Sequence, residues 1–447
     1  MAQDLTKGNT NKVLLKFTIP LFISILFQQF YNIADSLIVG RFAGEDALAA
    51  VGASYPITNI FNAVAIGCNI GCSVVISQLF GGRKYKEVRS AASTALISCL
   101  ALGGVMTALG IALTPALMKA IDTPENIFLN SALYLEIYVG SFVFLFIYNI
   151  SNGIFTSLGD SKTPLYFLIF SSVLNVMLDY VFVRTFANGV SAVAWATFIA
   201  QGLAGILSVT TLLRHLKKLP SYEGKAELFS FELLGDIAKI SIPSVLQQSF
   251  VSVGNIFIQK LINGFGSSVI AGFSAAIKLN TFTLNALCAF GNAVSGFTAQ
   301  NYGAGKYHRI KEGMRYGCVM VAVTGTMFAV LYLLMNETFI KMFMEGDGSK
   351  LAIESGTAFL KTVSPFFCFI GVKLVGDGIL RGVGSMKLFM TATFTDLILR
   401  VILAFVFAPV WGYQGIWYSW PIGWTTATVL SVIFFFSVYR KLIKKAI

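Results

Sequence analysis

Twelve apolar runs of about 20 residues recur along the chain, and each is long enough to cross a bilayer as an α-helix. Because hydrocarbon offers no water to bond the backbone, such runs have to be helical. Only 12% of the residues are charged, against about 25% in soluble domains. The sequence therefore predicts an all-α polytopic membrane protein with twelve transmembrane helices. The runs begin near Leu14, Leu48, Ala91, Phe128, Pro164, Gly189, Leu234, Val269, Gly313, Ala352, Met386 and Gly412.

The basic residues are distributed unevenly between the two sides of the predicted membrane. Of the 33 Lys and Arg residues, 23 lie in segments on the side of the termini and six, including Arg41, lie in loops on the other side. Cytoplasmic loops are enriched in Lys and Arg, so we expect both termini in the cytoplasm. The net charge of +12 belongs to these short loops and does not indicate nucleic-acid binding.

The second half of the chain nearly repeats the first at an offset of 222 to 225 residues. Ile19-Pro20 returns as Ile242-Pro243, and the segment 78–85 returns as 300–307. Each half has six spans, so both halves insert in the same orientation as a parallel pseudo-twofold repeat, an arrangement found in alternating-access transporters. An old duplication without mechanical consequence is the other interpretation. The predicted domains are an N-terminal lobe at 1–215, a cytoplasmic linker at 216–236 and a C-terminal lobe at 237–447.

Two acids of the first half, Asp35 and Asp179, lie in apolar runs without a basic neighbour. A charge at the centre of a membrane helix costs about 2.5 to 3.5 kcal/mol, so such acids indicate function. Asn175 lies one turn from Asp179 on the same helix face, and Thr197 lies at a similar depth in the sixth span. These oxygens predict a site for a small cation or for a proton shared by the carboxyls. A packing role, with nearby hydroxyls bonding the acids, is the alternative.

The acids of the second half have cations on the same helix face. Lys373 and Asp377 are four residues apart, as are Asp396 and Arg400, so we predict two structural ion pairs. Lys278 is an intramembrane cation to which the sequence assigns no partner. Ion coupling is therefore expected in the first half.

Further polar residues are predicted to face a central cavity and bind the substrate. Gln28, Asn32 and Asp35 are spaced by four and three residues and form one stripe on the first span, with Tyr31 beside it. The fourth span adds Asn149 and Asn152. The chain's 40 Phe and 12 Met residues would supply apolar walls.

The sequence lacks the motifs of an enzyme or an ATPase. Gly81-Gly82 and Gly303–Gly305 follow predicted helices and lack the strand and the Lys-Ser/Thr pair of a phosphate-binding loop. Neither a catalytic triad nor a metal cluster appears. We therefore predict a protein that is not an enzyme, has no cofactor and takes its energy from an H⁺ or Na⁺ gradient.

Several segments together resemble the multidrug and toxic compound extrusion (MATE) transporters, with the closest likeness to the bacterial DinF-like branch. The segments are Asn32-Ile-Ala-Asp35-Ser, Val39-Gly-Arg, Ala47-Leu-Ala-Ala-Val-Gly52, Leu158-Gly-Asp-Ser-Lys-Thr-Pro164, Leu174-Asn-Val-Met-Leu-Asp179 and the two loops that end in Lys84-Tyr85 and Lys306-Tyr307. The resemblance implies two six-helix bundles around a V-shaped cavity and the expulsion of organic, often cationic, compounds. It also implies a cation or proton site at Asp35, Asn175, Asp179 and Thr197, with substrate contacts at Gln28, Asn149 and Asn152.

The chain departs from another bacterial branch of that family, which uses acids in the C-terminal lobe. Val251 stands where that branch has a Glu on the seventh helix, and Asp377 lies only four residues from Arg381. The resemblance therefore does not imply a coupling site in the second half.

The expected function is a secondary active antiporter that exports amphipathic, cationic organic compounds in exchange for H⁺ or Na⁺ by alternating access. Its expected partners are the small organic substrate, the coupling cation and membrane lipids, and we expect a monomer. A flippase for a lipid-linked precursor would instead need a larger and more basic cavity. A membrane sensor or scaffold without transport is the remaining alternative.

Overall fold

The computed structural model describes residues 3–38, 45–185, 189–220, 225–344 and 349–446, and all the regular secondary structure in these ranges is helical. Arg41, the Val39-Gly-Arg motif and residues 221–224 of the predicted linker lie outside them. The described α-helices are α1 Thr10–Ile38, α2 Glu45–Gly81, α3 Tyr85–Ala120, α4 Glu125–Gly140, α5 Phe142–Ser157, α6 Lys162–Thr185, α7 Gly189–Lys217, α8 Phe231–Asn263, α9 Ser267–Gly303, α10 Tyr307–Lys341, α11 Lys350–Val363, α12 Phe367–Gly382, α13 Met386–Trp411 and α14 Tyr413–Ala446.

The fourteen described α-helices correspond to the twelve predicted spans, because two of the spans are each divided into two helices. α4 and α5 form one span with a bend of 45°. α11 and α12 form another, joined by the 3-10 turn Ser364–Phe366. Within the described ranges, nine spans are long and apolar enough to cross a membrane, and α4 with α5, counted as one span, makes ten. α8 and α9 have 33 and 37 residues and are long enough to cross, but their sequences are more polar.

Both interruptions have a local cause, and they fall at matching positions of the repeat. The hydroxyl of Ser141 donates to the carbonyl of Tyr138 at 2.6 Å. The hydroxyl of Ser364 donates to the carbonyl of Leu360 at 2.5 Å, and Pro365 lacks a backbone N–H. A serine hydroxyl that donates to a preceding backbone carbonyl bends its helix. Each half therefore has its break in the fourth span.

The repeat is also visible in the loop backbone. Arg83 and its counterpart Gly305 have φ of 60° and 68°, and Gly159 and its counterpart Gly384 have φ of 79° and 77°. This left-handed region favours glycine. At Gly159 a side chain would in addition overlap the carbonyl oxygen of Gln3. The two halves therefore share their turns as well as their helices.

The helices pack into two compact units. One unit contains Met1–Asp4 and Ile23–Val245, and the other contains Leu5–Phe22 and Leu246–Ile447. α1 and α8 thus each change unit along their length, two residues beyond Pro20 and Pro243. A proline inside a helix removes a backbone hydrogen bond, which weakens both helices near the change. The predicted boundaries at residues 215 and 237 follow chain order and do not coincide with these units.

The segment before α1 is held in the second unit by a buried arginine. Arg309 is only 8% exposed. Its guanidinium donates to the carbonyls of Gly8 at 2.7 Å and Leu5 at 3.2 Å, and to the side-chain oxygen of Asn301 at 2.9 Å. Hydrogen bonds from a charged donor contribute about 1.5 to 3 kcal/mol, so this arginine stabilises the segment that precedes α1.

Glycines allow α9 and α11 to approach closely within the second unit. A side chain at Gly272 would overlap the carbonyl oxygen of Ala352 and the hydroxyl of Ser355. A Cβ at Gly356 would lie 2.7 Å from the carbonyl oxygen of Gly272. Small residues at such crossings are the usual means of close packing between membrane helices.

We expect Gly272→Ala to destabilise the protein by about 1 to 3 kcal/mol, because the added methyl group forces α9 and α11 apart. The matched control is Gly104→Ala on α3, where a Cβ would meet nothing within 4 Å. This control should be neutral or stabilising, since Ala favours helix by about 1 kcal/mol over Gly. Melting temperatures of the purified protein in detergent measure both changes. A Gly272→Ala protein that melts at the wild-type temperature would contradict the close packing.

Candidate functional site

The two acids predicted from the first half meet within the first unit. Asp35 of α1 and Asp179 of α6 have carboxyl groups within hydrogen-bonding reach of each other. Asp179 is fully buried and Asp35 half-buried. Among the described residues, neither acid forms an ion pair with a Lys or Arg. Two adjacent carboxylates repel, so the pair is stable when it holds a proton or a cation.

Asn175 joins this pair to the neighbouring helices. In the amide orientation that satisfies its surroundings, the nitrogen donates to Asp179 Oδ2 at 3.1 Å and to the Tyr31 oxygen at 2.5 Å. The amide oxygen accepts from the backbone N–H of Thr197 at 3.2 Å. The hydroxyl of Thr197 lies 3.4 Å from the same end of the amide. The structure therefore brings together Asp35, Asn175, Asp179 and Thr197, and it adds Tyr31.

Two tyrosines of α4 complete the surroundings of the acids, and sequence reasoning missed them. Tyr134 is 7% exposed and packs against Val190 and Val193 of α7. Its ring stacks on that of Tyr138, with centroids 5.8 Å apart. Both tyrosines lie close enough to Asp35 to interact with its charge. Their four-residue spacing was the available signal, but aromatic residues are frequent in every span.

The residues predicted to contact substrate lie on α1 and α5. Gln28 and Asn32 are exposed, whereas Asn149 and Asn152 are half-buried. The Asn149 amide donates to the carbonyl of Leu145 in its own helix at 2.9 Å. Oδ1 of Asn152 is buried without a hydrogen-bond partner in the described part of the chain. Tyr31, also predicted to contact substrate, instead bonds within the acid cluster. Substrate binding by these residues stays a prediction.

The two charged pairs of the second half differ in geometry. Lys373 Nζ lies 2.6 Å from Asp377 Oδ2, and both side chains are buried. In contrast, no direct ion pair joins Asp396 to Arg400 in the described ranges. The guanidinium of Arg400 lies over the ring of Trp420, 4.3 Å from its centroid. The predicted contact between Asp396 and Arg400 is therefore wrong in this arrangement, because the aromatic face holds the arginine.

Lys278, which had no predicted partner, is exposed on α9. Its ammonium lies 5.6 Å from the ring centroid of Phe343, a cation–π contact worth about 0.5 to 1 kcal/mol at an exposed site.

The described residues contain no group of three His, Cys, Asp or Glu able to hold a metal ion.

Comparisons with known proteins agree with this architecture. A family model, MatE, matches residues 20–181 and 243–406, one stretch in each half. The chain is 29% identical to the probable multidrug resistance protein YpnP of Bacillus subtilis, over 93% of this chain and 92% of that protein. It is 22% identical to the DNA damage-inducible protein F of Escherichia coli, over 75% and 73%.

A solved structure of a MOP superfamily transporter from Pyrococcus furiosus superimposes with a TM-score of 0.92. It is 21% identical and covers 98% of both chains, and it is described as having a binding pocket of reverse polarity that suggests a different function. At this identity the likeness concerns the fold alone. It confirms the predicted all-α, twelve-helix membrane fold.

We expect Asn175→Ala to destabilise the first unit more than Tyr31→Phe. Removing the amide leaves Asp179 Oδ2 and the Tyr31 hydroxyl without their partner, at a cost of about 1 to 3 kcal/mol for each buried group. Removing the tyrosine hydroxyl loses one bond, worth about 0.5 to 1.5 kcal/mol, while Asn175 keeps its bonds to Asp179 and Thr197. Thermal unfolding in detergent gives the order. Equal melting temperatures for the two variants would contradict a bridging role for Asn175.

Proposed function

This chain belongs to the MatE family, whose members are transporters and not enzymes, and we propose that it is a proton-coupled multidrug antiporter. It exports amphipathic, cationic organic compounds while admitting protons by alternating access. We further propose a bacterial cytoplasmic membrane as its location, with both termini in the cytoplasm. The relative named as a probable multidrug resistance protein supports the substrate class.

The contact between the Asp35 and Asp179 carboxyls carries the proposal. With no basic side chain paired to either acid in the described ranges, only a proton or a cation can offset their repulsion. Ionisable groups inside a membrane segment mark ion pathways. A group that binds a cation and has no permanent counter-charge is what an ion-driven antiporter requires.

The orientation of Asn175 favours a proton over Na⁺ as the coupling ion. Hard metal cations are held by converging oxygen atoms. Here the amide turns its nitrogen toward Asp179, and its oxygen is already bonded by the N–H of Thr197. A shared proton needs only the two carboxyl groups, and donation from Asn175 stabilises the charge that remains.

Coupling follows from the position of both functions on α1. Asn32 lies three residues before Asp35, about 4.5 Å along the helix axis. A cationic substrate near Gln28 and Asn32 is attracted by the negative acid pair, and a proton on the pair removes that attraction. Proton binding therefore promotes release of the compound. One-for-one exchange of a proton for a singly charged compound moves no net charge, so the pH gradient drives it, and each pH unit supplies about 1.4 kcal/mol, or about tenfold accumulation.

We expect Asp35→Asn and Asp179→Asn each to abolish dye efflux driven by an imposed proton gradient in proteoliposomes. The reason is that neither variant can hold a shared, exchangeable proton, so the roughly tenfold accumulation expected for each pH unit disappears. The matched control is Asp236→Asn, which alters an exposed acid paired with Lys239 and should leave efflux intact. Efflux at the wild-type rate in both acid variants would refute the proposed site.

The same vesicles distinguish the two ions. Thr197→Val removes a hydroxyl oxygen that a Na⁺ site would use, but it keeps the backbone N–H that bonds Asn175. We therefore expect proton-driven efflux to survive in this variant. Efflux that requires a Na⁺ gradient and fails in Thr197→Val would refute proton coupling, and dependence on neither gradient would refute antiport.

A further inference from the structure

A second group of charged side chains is buried in the second unit, on α12 and α13. Its members are at most 9% exposed, and they are Lys373, Asp377, Arg381, Asp396 and Arg400. If all five are ionised, the group has three positive and two negative charges. Buried charges are costly unless each is paired and hydrogen-bonded, so the partners of each acid decide its state.

Asp377 has the partners that an ionised carboxylate needs. Lys373 Nζ lies 2.6 Å from its Oδ2, and the hydroxyl of Ser431 donates to its Oδ1 at 2.8 Å. Lys373 also donates to the hydroxyl of Thr393 at 3.0 Å. The charge of Lys373 is therefore already balanced by Asp377.

Asp396 has no such partners. It is 5% exposed, and its Oδ1 is buried without a hydrogen bond. Within the described part of the chain, no donor or cation contacts its carboxyl. The oxygen lies against the backbone of α14 at Gly423, where a Cβ would come within 2.6 Å of it. An ionised carboxylate in this position would have lost the water at its Oδ1 without replacement.

The charged groups that face Asp396 are engaged elsewhere. From α12 these are Lys373 and Asp377, which pair with each other, and from its own helix there is Arg400. Arg400 lies over Trp420 at 4.3 Å, and its Nε has no acceptor among the described residues. The buried acceptor and the buried donor thus lie one helical turn apart without touching.

We propose that Asp396 is a proton-binding site of the second unit, separate from the carboxyl pair of the first. Its carboxyl group holds a proton in the arrangement described, which removes the uncompensated charge. The proton leaves to water when Arg400 turns from Trp420 to the carboxylate and forms the ion pair that their spacing permits. The ligand is a proton, and the site adds a second titrating position to that of the first unit.

The test is infrared spectroscopy of the full-length protein at neutral pH, in the carbonyl-stretch region of protonated carboxylic acids. We expect Asp396→Asn to lose one band present in the wild type. The matched control, Asp377→Asn, should lose none, because Lys373 pairs with that carboxylate. Since an amide resembles a protonated acid in shape and charge, Asp396→Asn should also keep the wild-type melting temperature. An unchanged spectrum, or a marked loss of stability, would overturn the proposal.

A second variant tests the arginine. Arg400→Gln removes the group to which the ionised carboxylate pairs, so the Asp396 band should persist to higher pH than in the wild type. Disappearance of the band at the wild-type pH would overturn the role of Arg400. The infrared bands report protonation of the carboxyl groups and do not depend on transport. We expect Asp35→Asn, which removes one acid of the pair in the first unit, to leave the Asp396 band in place.

Discussion

The rest of the structure depends on one constraint: a polar group inside hydrocarbon has no water to bond and must find its partner in the protein. Helices satisfy the backbone, but polar side chains have to meet one another between helices. In the first unit a single amide, that of Asn175, bonds with groups on three helices, namely Asp179, Tyr31 and the N–H of Thr197. The acid pair is therefore held by hydrogen bonds and not by a counter-charge, which leaves its own charge available for an exchangeable ion.

Backbone features repeat between the two halves, whereas the chemistry of the acids does not. Ser141 and Ser364 interrupt matching spans, and Gly159 and Gly384 have nearly the same φ. Bends and turns follow from local backbone constraints, so a duplicated chain keeps them as long as a few small residues remain. Side chains that face a neighbouring helix are not restricted in that way. One scaffold thus contains an acid beside an acid in the first half and an acid beside Lys373 in the second.

The sequence was sufficient to predict the twelve spans and the gathering of Asp35 with Asp179, because run length and depth are set along the chain. The sequence was insufficient where a contact depends on which side chains a neighbouring helix presents. Spacing on α13 predicted an ion pair between Asp396 and Arg400, but Trp420 of α14 holds the arginine instead. The orientation of the Asn175 amide likewise depends on Tyr31 and Thr197, which lie on two other helices. The two chain-order lobes give no sign that α1 and α8 change unit beyond Pro20 and Pro243.

The response of each buried acid to a proton follows from the donors around it. At Asp377 a proton would leave Lys373 charged and unpaired in a buried site, so the ion pair resists it. At Asp35 and Asp179 a proton removes repulsion and completes a hydrogen bond between the carboxyls, so the pair accepts it. Asp396 lies between these cases, because Arg400 is within one helical turn of it but packs on the ring of Trp420. The number of acids in each half is therefore a poor guide to coupling, and the contact that each acid makes is the better one.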